Sequence, residues 1–430
     1  MLCNTSTVWS NDYIDAENTA RKSVEEIDDS LGYGLEEKPI RYLFLGEWID
    51  NLPTFLRESS LTPHFRLYGF DRDRKIGQES EAITYGGEIR FVSGLVADYF
   101  RIGTSFFTSQ GIHDENGEDT LLLGDNGSNI NTLGTLYLDV DLDNAYLRFF
   151  RQTFNLPYLN RQDSRMIPNT HEAYVYARSS KNVDFTFGHV SQIKQRNAES
   201  FISMAESAGA EGSGKGTTMA GARYVFDNNL SLGALNLYTD DVFNIFYSEF
   251  SFVKEITNGV SSRVTGQFTH QKSVGDDLIG EFDTNHYGIR FQTDYRNAIL
   301  TLAATNTGEG AAIISPYGGR PGFLSLMLQN FDRANETGLL AGLSYDFSAI
   351  GLPGLSAFSN FAWGNNAKDA NTGRSLPDVD EYNFTIDYRP EDGLLSGLWL
   401  RLRHARADFE GGNYTEDTRA ILNYELPFKL

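Results

Sequence analysis

Arg66, Arg90, Arg148, Arg223, Arg290, Arg401, Arg403 and Arg419 alternate with apolar residues or directly precede an apolar run. A guanidinium stays charged at any relevant pH and grips a carboxylate through two parallel hydrogen bonds. A set of them on one polar face could pass a carboxylate from one to the next. They could equally pair with acids such as Glu88, Asp294 or Asp387 and only brace a wall.

Other chemistry is poorly supported. The run 209–215 (GAEGSGK) starts like a phosphate-cradling loop. Gly216 then stands where the magnesium-binding Ser or Thr belongs, and a strand pattern follows where a helix is needed. Asp139-x-Asp141-x-Asp143 resembles the start of a calcium loop, yet Asn144 replaces the glycine and Phe150 the bidentate glutamate. The 7 histidines are scattered, with no HExxH pair and no G-x-S-x-G elbow. Cys3 is the single cysteine, which rules out an internal disulfide and a cysteine-based zinc site. The sequence therefore predicts no metal, no cofactor and no catalytic constellation.

The elements that carry these arginines are strands. From about residue 61 onward, apolar and polar residues alternate with period two. Tyr287, Ile289, Phe291, Thr293 and Tyr295 share one face, with Gly288, Arg290, Gln292 and Asp294 on the other. Segments 339–347, 382–389 and 422–428 repeat the arrangement. Short turns at 141–144, 179–182, 227–229, 257–259, 296–297 and 352–354 alternate with long connections at 109–131, 152–171, 191–216, 271–283, 306–336, 364–381 and 406–417. About eighteen strands fit between them, an even number typical of outer-membrane barrels.

A ring of that size encloses a bore too wide for side chains to fill. The apolar face must then point outward to lipid, and closure removes the sheet edges that lipid cannot solvate. Tyr and Phe near the strand ends suit interfacial girdles. An arginine on the lipid face costs about 2–4 kcal/mol at mid-bilayer, so all eight are expected inside. Composition agrees: the chain is 13% aromatic with a mean hydropathy of −0.36 and no helix-length apolar run. Its 36 basic and 58 acidic residues give a net charge of −22, which argues against a nucleic-acid partner.

Residues 1–60 differ from the rest. The stretch 15–31 is polar and helix-compatible, and Trp48, Ile49, Leu52 and Phe55 suggest a short amphipathic helix interrupted by Pro53. This part is expected to be a partly helical or disordered leader or plug-like segment ahead of a barrel at 61–430. Met1–Asn4 shows no basic and apolar signal pattern, so the start is expected to be a mature or shortened terminus with Cys3 an ordinary terminal residue.

The stretch 151–160 (RQTFNLPYLN) leading to 163–172 (DSRMIPNTHE) resembles the inward-folding third-loop motif of OprD-type outer-membrane porins. Shorter matches lie at 66–73 (RLYGFDRD), 221–224, 332–336 (DRANE), 352–355 and 400–403. The resemblance covers about residues 60–430. It implies an up-and-down antiparallel transmembrane β-barrel in a Gram-negative outer membrane, through which small, mostly carboxylate-bearing nutrients diffuse. It further implies a constriction loop at 152–171 and a track formed by the eight arginines.

Within that loop Asp163 and Arg165 offer opposing charges around Ser164, with Tyr158 and Met166 as steric elements. Expected partners are outer-membrane lipid and lipopolysaccharide and small anionic or zwitterionic substrates, in a monomer or loose homotrimer. On the residues alone, a soluble or cell-surface carbohydrate-binding protein or hydrolase stays open, as does a non-conducting barrel plugged by residues 1–60.

Overall fold

The computed structural model describes residues 52–226, 228–390, 395–426 and 428–429. The expected leader segment lies almost wholly outside this range. Of the amphipathic helix only Thr54–Arg57 falls within it, starting directly after Pro53. Pro is suited to that boundary because it lacks the N–H that a first turn leaves unbonded.

Eighteen antiparallel strands close into one barrel. They are β1 (Ser60–Arg74), β2 (Ser80–Val92), β3 (Phe100–Glu115), β4 (Ile130–Asp141), β5 (Ala145–Gln152) and β6 (Thr170–Ser179). There follow β7 (Val183–Lys194), β8 (Thr217–Val225), β9 (Leu230–Thr239), β10 (Phe243–Thr257), β11 (Val260–Ser273) and β12 (Asp283–Tyr295). The last six are β13 (Ala298–Thr307), β14 (Thr337–Asp346), β15 (Leu355–Asn365), β16 (Val379–Tyr388), β17 (Leu398–Phe409) and β18 (Asn413–Glu425). Closure comes where β1 pairs with β18, placing Leu67 opposite Leu422 and Phe70 opposite Arg419.

The apolar face does point outward. On β12 Ile289 is 55% exposed whereas its neighbour Arg290 is 4% exposed. On β17 Leu402 and Arg403 stand at 59% and 8%. Such an exposed apolar belt would be insoluble in water and is matched to lipid. The buried residues are inside the barrel, where two long connections fold inward and pack against the wall. One cluster joins Tyr158 and Leu159 to Tyr247 and Tyr317. Another joins Met166 and Ile167 to Tyr68, Phe70 and Phe107.

Two expectations about the connections need correction. The segment 406–417 is no long loop: β17 runs to Phe409 and β18 starts at Asn413, leaving a tight turn at 410–412. Arg406, Asp408 and Glu416 are polar because they form an outward ion-pair cluster at the strand ends. Connections at 240–242 and 75–79, of three and five residues, are also short, so loop length does not alternate strictly around the barrel.

Candidate functional site

The third loop, 153–169, leaves β5 and turns into the lumen. A two-residue ribbon pairs Asn155–Leu156 with Leu159–Asn160 around Pro157 and Tyr158. The Tyr158 hydroxyl bonds Thr269 Oγ1 at 2.9 Å, and its ring meets Tyr247 edge-on. Met166 is packed against the β1 aromatics. Tyr158 and Met166 thus seat the loop on the wall. At its return, buried Lys194 donates to the carbonyls of Pro168 and Gln195, both at 3.0 Å.

Between these anchors stand the charges. Asp163 receives Arg66 at 2.8 Å and Arg161 at 3.3 Å. The carbonyl of Arg165 accepts a further bond from Arg66. The side chain of Arg165 donates to the carbonyls of Thr120 (2.6 Å) and Ser164 (2.9 Å). Ser164 Oγ accepts from Arg196 at 2.5 Å. Among the described residues neither Arg165 nor Arg196 has a carboxylate partner. Burial, together with the charges of Arg419 and Arg196, pushes the pKa of Arg165 well down. Because a guanidinium holds its proton nonetheless, this position is one where an anion would be stabilised.

All eight arginines expected inside do face inward. The structure gathers Arg66, Arg90, Arg401, Arg403 and Arg419 on the contiguous arc β17–β18–β1–β2. Arg403 lies directly opposite Arg419 across the β17–β18 pairing. Arg165 and Arg419 both stack on Phe70, at 5.2 and 4.9 Å from the ring centroid. Arg148, Arg223 and Arg290 stand elsewhere on the wall. Several arginines are braced by acids: Arg401 by Asp387 at 2.8 Å, Arg148 by Asp139 at 2.6 Å, Arg419 by Asp417 at 2.5 Å and Arg90 by Glu425 at 3.2 Å. The inward arginines are thus in part braced by acids on the same wall.

Sequence reasoning missed a second inward loop, 308–336. Asn160 holds it, donating to the Gly319 carbonyl at 2.8 Å and accepting from the Gly319 N–H at 2.7 Å. Gly318 permits this approach, since a Cβ there would stand 2.6 Å from Asn160 Oδ1. Farther along, Phe323 lies under Arg290 at 4.7 Å, and the Met327 carbonyl accepts from Arg419 at 3.4 Å. The available signal was composition: Ile313, Ile314, Tyr317, Phe323, Leu324 and Phe331 are too apolar for a loop standing in water. Arg196 was missed because it lies outside any alternating segment.

A closed barrel with an apolar outside, a charged bore and loops folded into it is the architecture of a membrane channel. A scan against family models matches residues 53–428 to the outer membrane porin, OprD family, and the chain belongs to that family. Among solved structures, OpdK of Pseudomonas aeruginosa with vanillate superposes at TM-score 0.79 and 21% identity, covering 87% of this chain and 100% of that one. OccK9 (OpdG) of the same organism gives 0.77 and 20% over 87% and 100%. OccAB3 of Acinetobacter baumannii gives 0.78 and 17% over 86% and 100%. A search of curated proteins returned no match. The protein is thus an outer-membrane β-barrel porin.

Proposed function

We propose that this porin passes small carboxylate-bearing nutrients by facilitated diffusion, without catalysis, along an arginine-lined bore narrowed by the third loop. The observation that carries the reading is the pair Arg165, buried, and Arg196, half-buried, cations without carboxylate partners among the described residues, beside Arg419. A buried charge without a counter-ion is costly, so a passing carboxylate gains there what the protein leaves unmet. Release is equally provided for. Arg403, Arg419 and Arg66 offer successive sites, and their neighbouring acids Asp417 and Asp163 limit how tightly any one of them holds an anion. OpdK, which shares the fold, has been solved with vanillate, a carboxylate anion.

The test is liposome swelling with benzoate-type acids, neutral sugars and amines, for the native porin and for Arg165→Gln with Arg196→Gln. Acids should enter fastest through the native porin, and the double variant should lose that advantage. Equal entry of sugars and acids through the native porin would refute carboxylate preference. An advantage retained in the variant would remove these two arginines from the account.

A further inference from the structure

Glu381 on β16 points into the barrel, is fully buried, and has no basic partner among the described residues. A carboxylate in that situation must be satisfied by other donors. Its donors are three consecutive backbone amides of the second inward loop. Met327 N–H and Leu328 N–H reach Oε1 at 3.0 and 3.2 Å, and Gln329 N–H reaches Oε2 at 2.7 Å. Asn383 Nδ2 adds a fourth contact at 3.4 Å. Successive amides converging on one anion form a nest, a motif whose geometry a carboxylate fixes. Here the anion belongs to the wall and the nest to the loop tip. On its other side the same tip presents the Met327 carbonyl to Arg419.

We infer that Glu381 is a positioning residue for the pore: by seating the 327–329 tip it sets where Met327 O meets Arg419, and so how Arg419 is aimed at passing anions. Arg419 is held by Asp417 on its own strand, by the Phe70 ring it stacks on and by this tip. Without the seat, the tip loses the carboxylate that binds its amides, and Arg419 loses one of its holds. The inference rests on the reading of Arg419 as part of the anion path, but its readout is separate from substrate preference.

The experiment records single-channel conductance and reversal potential in a KCl gradient for Glu381→Gln, Arg419→Gln and the double variant in planar bilayers, with barrel folding checked by heat-modifiable gel mobility. A Gln keeps one accepting oxygen but turns its N–H₂ toward at least one of the three backbone N–H groups, so Glu381→Gln is expected to change conductance about twofold or more and to reduce anion preference. Coupling should show as non-additivity, with Glu381→Gln adding little shift in reversal potential once Arg419 is replaced. Conductance and reversal potential unchanged in folded Glu381→Gln, or additive shifts, would overturn the inference. Leu328→Pro removes one of the three amides from the loop side and leaves the wall intact. It is expected to reproduce the effect, and it decides the matter should Glu381→Gln fail to assemble. If Arg419→Gln itself leaves selectivity unchanged while Glu381→Gln still alters conductance, the carboxylate path fails and only the seating of the tip survives.

Discussion

Arg66 on the barrel wall and Asp163 in the third loop form an ion pair at 2.8 Å, both largely buried, that ties an inward loop to the strand completing the barrel. The contact crosses from β1, which closes the ring against β18, to a loop that leaves the ring between β5 and β6. It makes the position of the loop dependent on closure.

Removing one partner should therefore be felt in both stability and current. Asp163→Asn leaves Arg66 without its carboxylate, a change that costs about 3–5 kcal/mol for fully buried pairs. At this site, with side-chain exposures of 5% and 14%, the lower part of that range applies. A lowered melting temperature in detergent and a larger, noisier conductance are expected. An unchanged melting temperature would show the pair to be dispensable.

The contact between the two inward loops offers a second test. Gly318→Val places a branched side chain where Asn160 already approaches, so the loops must part. Because overpacking costs about 1–3 kcal/mol, the barrel should survive while the loops loosen. Higher conductance with unaltered strand content by circular dichroism is the expected outcome.

Orientation of the wall can be checked by paired insertions of charge. Leu402→Arg and Ile289→Arg put a cation on the lipid side, costing about 2–4 kcal/mol at mid-bilayer. Folding yield into lipid vesicles should fall for both variants. Full folding yield for both would show that the faces have been misassigned.

Salt should reveal how the arginines act. The Debye length shrinks from about 10 Å at 0.1 M to about 3 Å at 1 M. Anion preference carried by Arg403, Arg419 and Arg165 should thus weaken as KCl rises over that range, most steeply at the exposed approaches. Reversal potentials at constant KCl ratio and increasing concentration measure this.

The wall was legible in the sequence because alternation leaves no freedom. Once Ile289 and Leu402 face lipid, Arg290 and Arg403 have only the bore. The third loop could be located through its motif, though not the seat of Tyr158 against Tyr247, which joins residues far apart in the chain. The inward course of 308–336 had no periodic signature, since a loop packed by isolated apolar residues repeats nothing. Polarity was the misleading cue at 406–417, where outward ion pairs among Arg406, Asp408 and Glu416 imitate a loop.

The tight turns at 75–79 and 410–412 lie on either side of the β18–β1 seam. Only three and five residues of connection thus cap the strands that bear Arg66, Arg403 and Arg419, so this arc of the rim is bare of loop, whereas 29 residues between β13 and β14 are spent filling the bore.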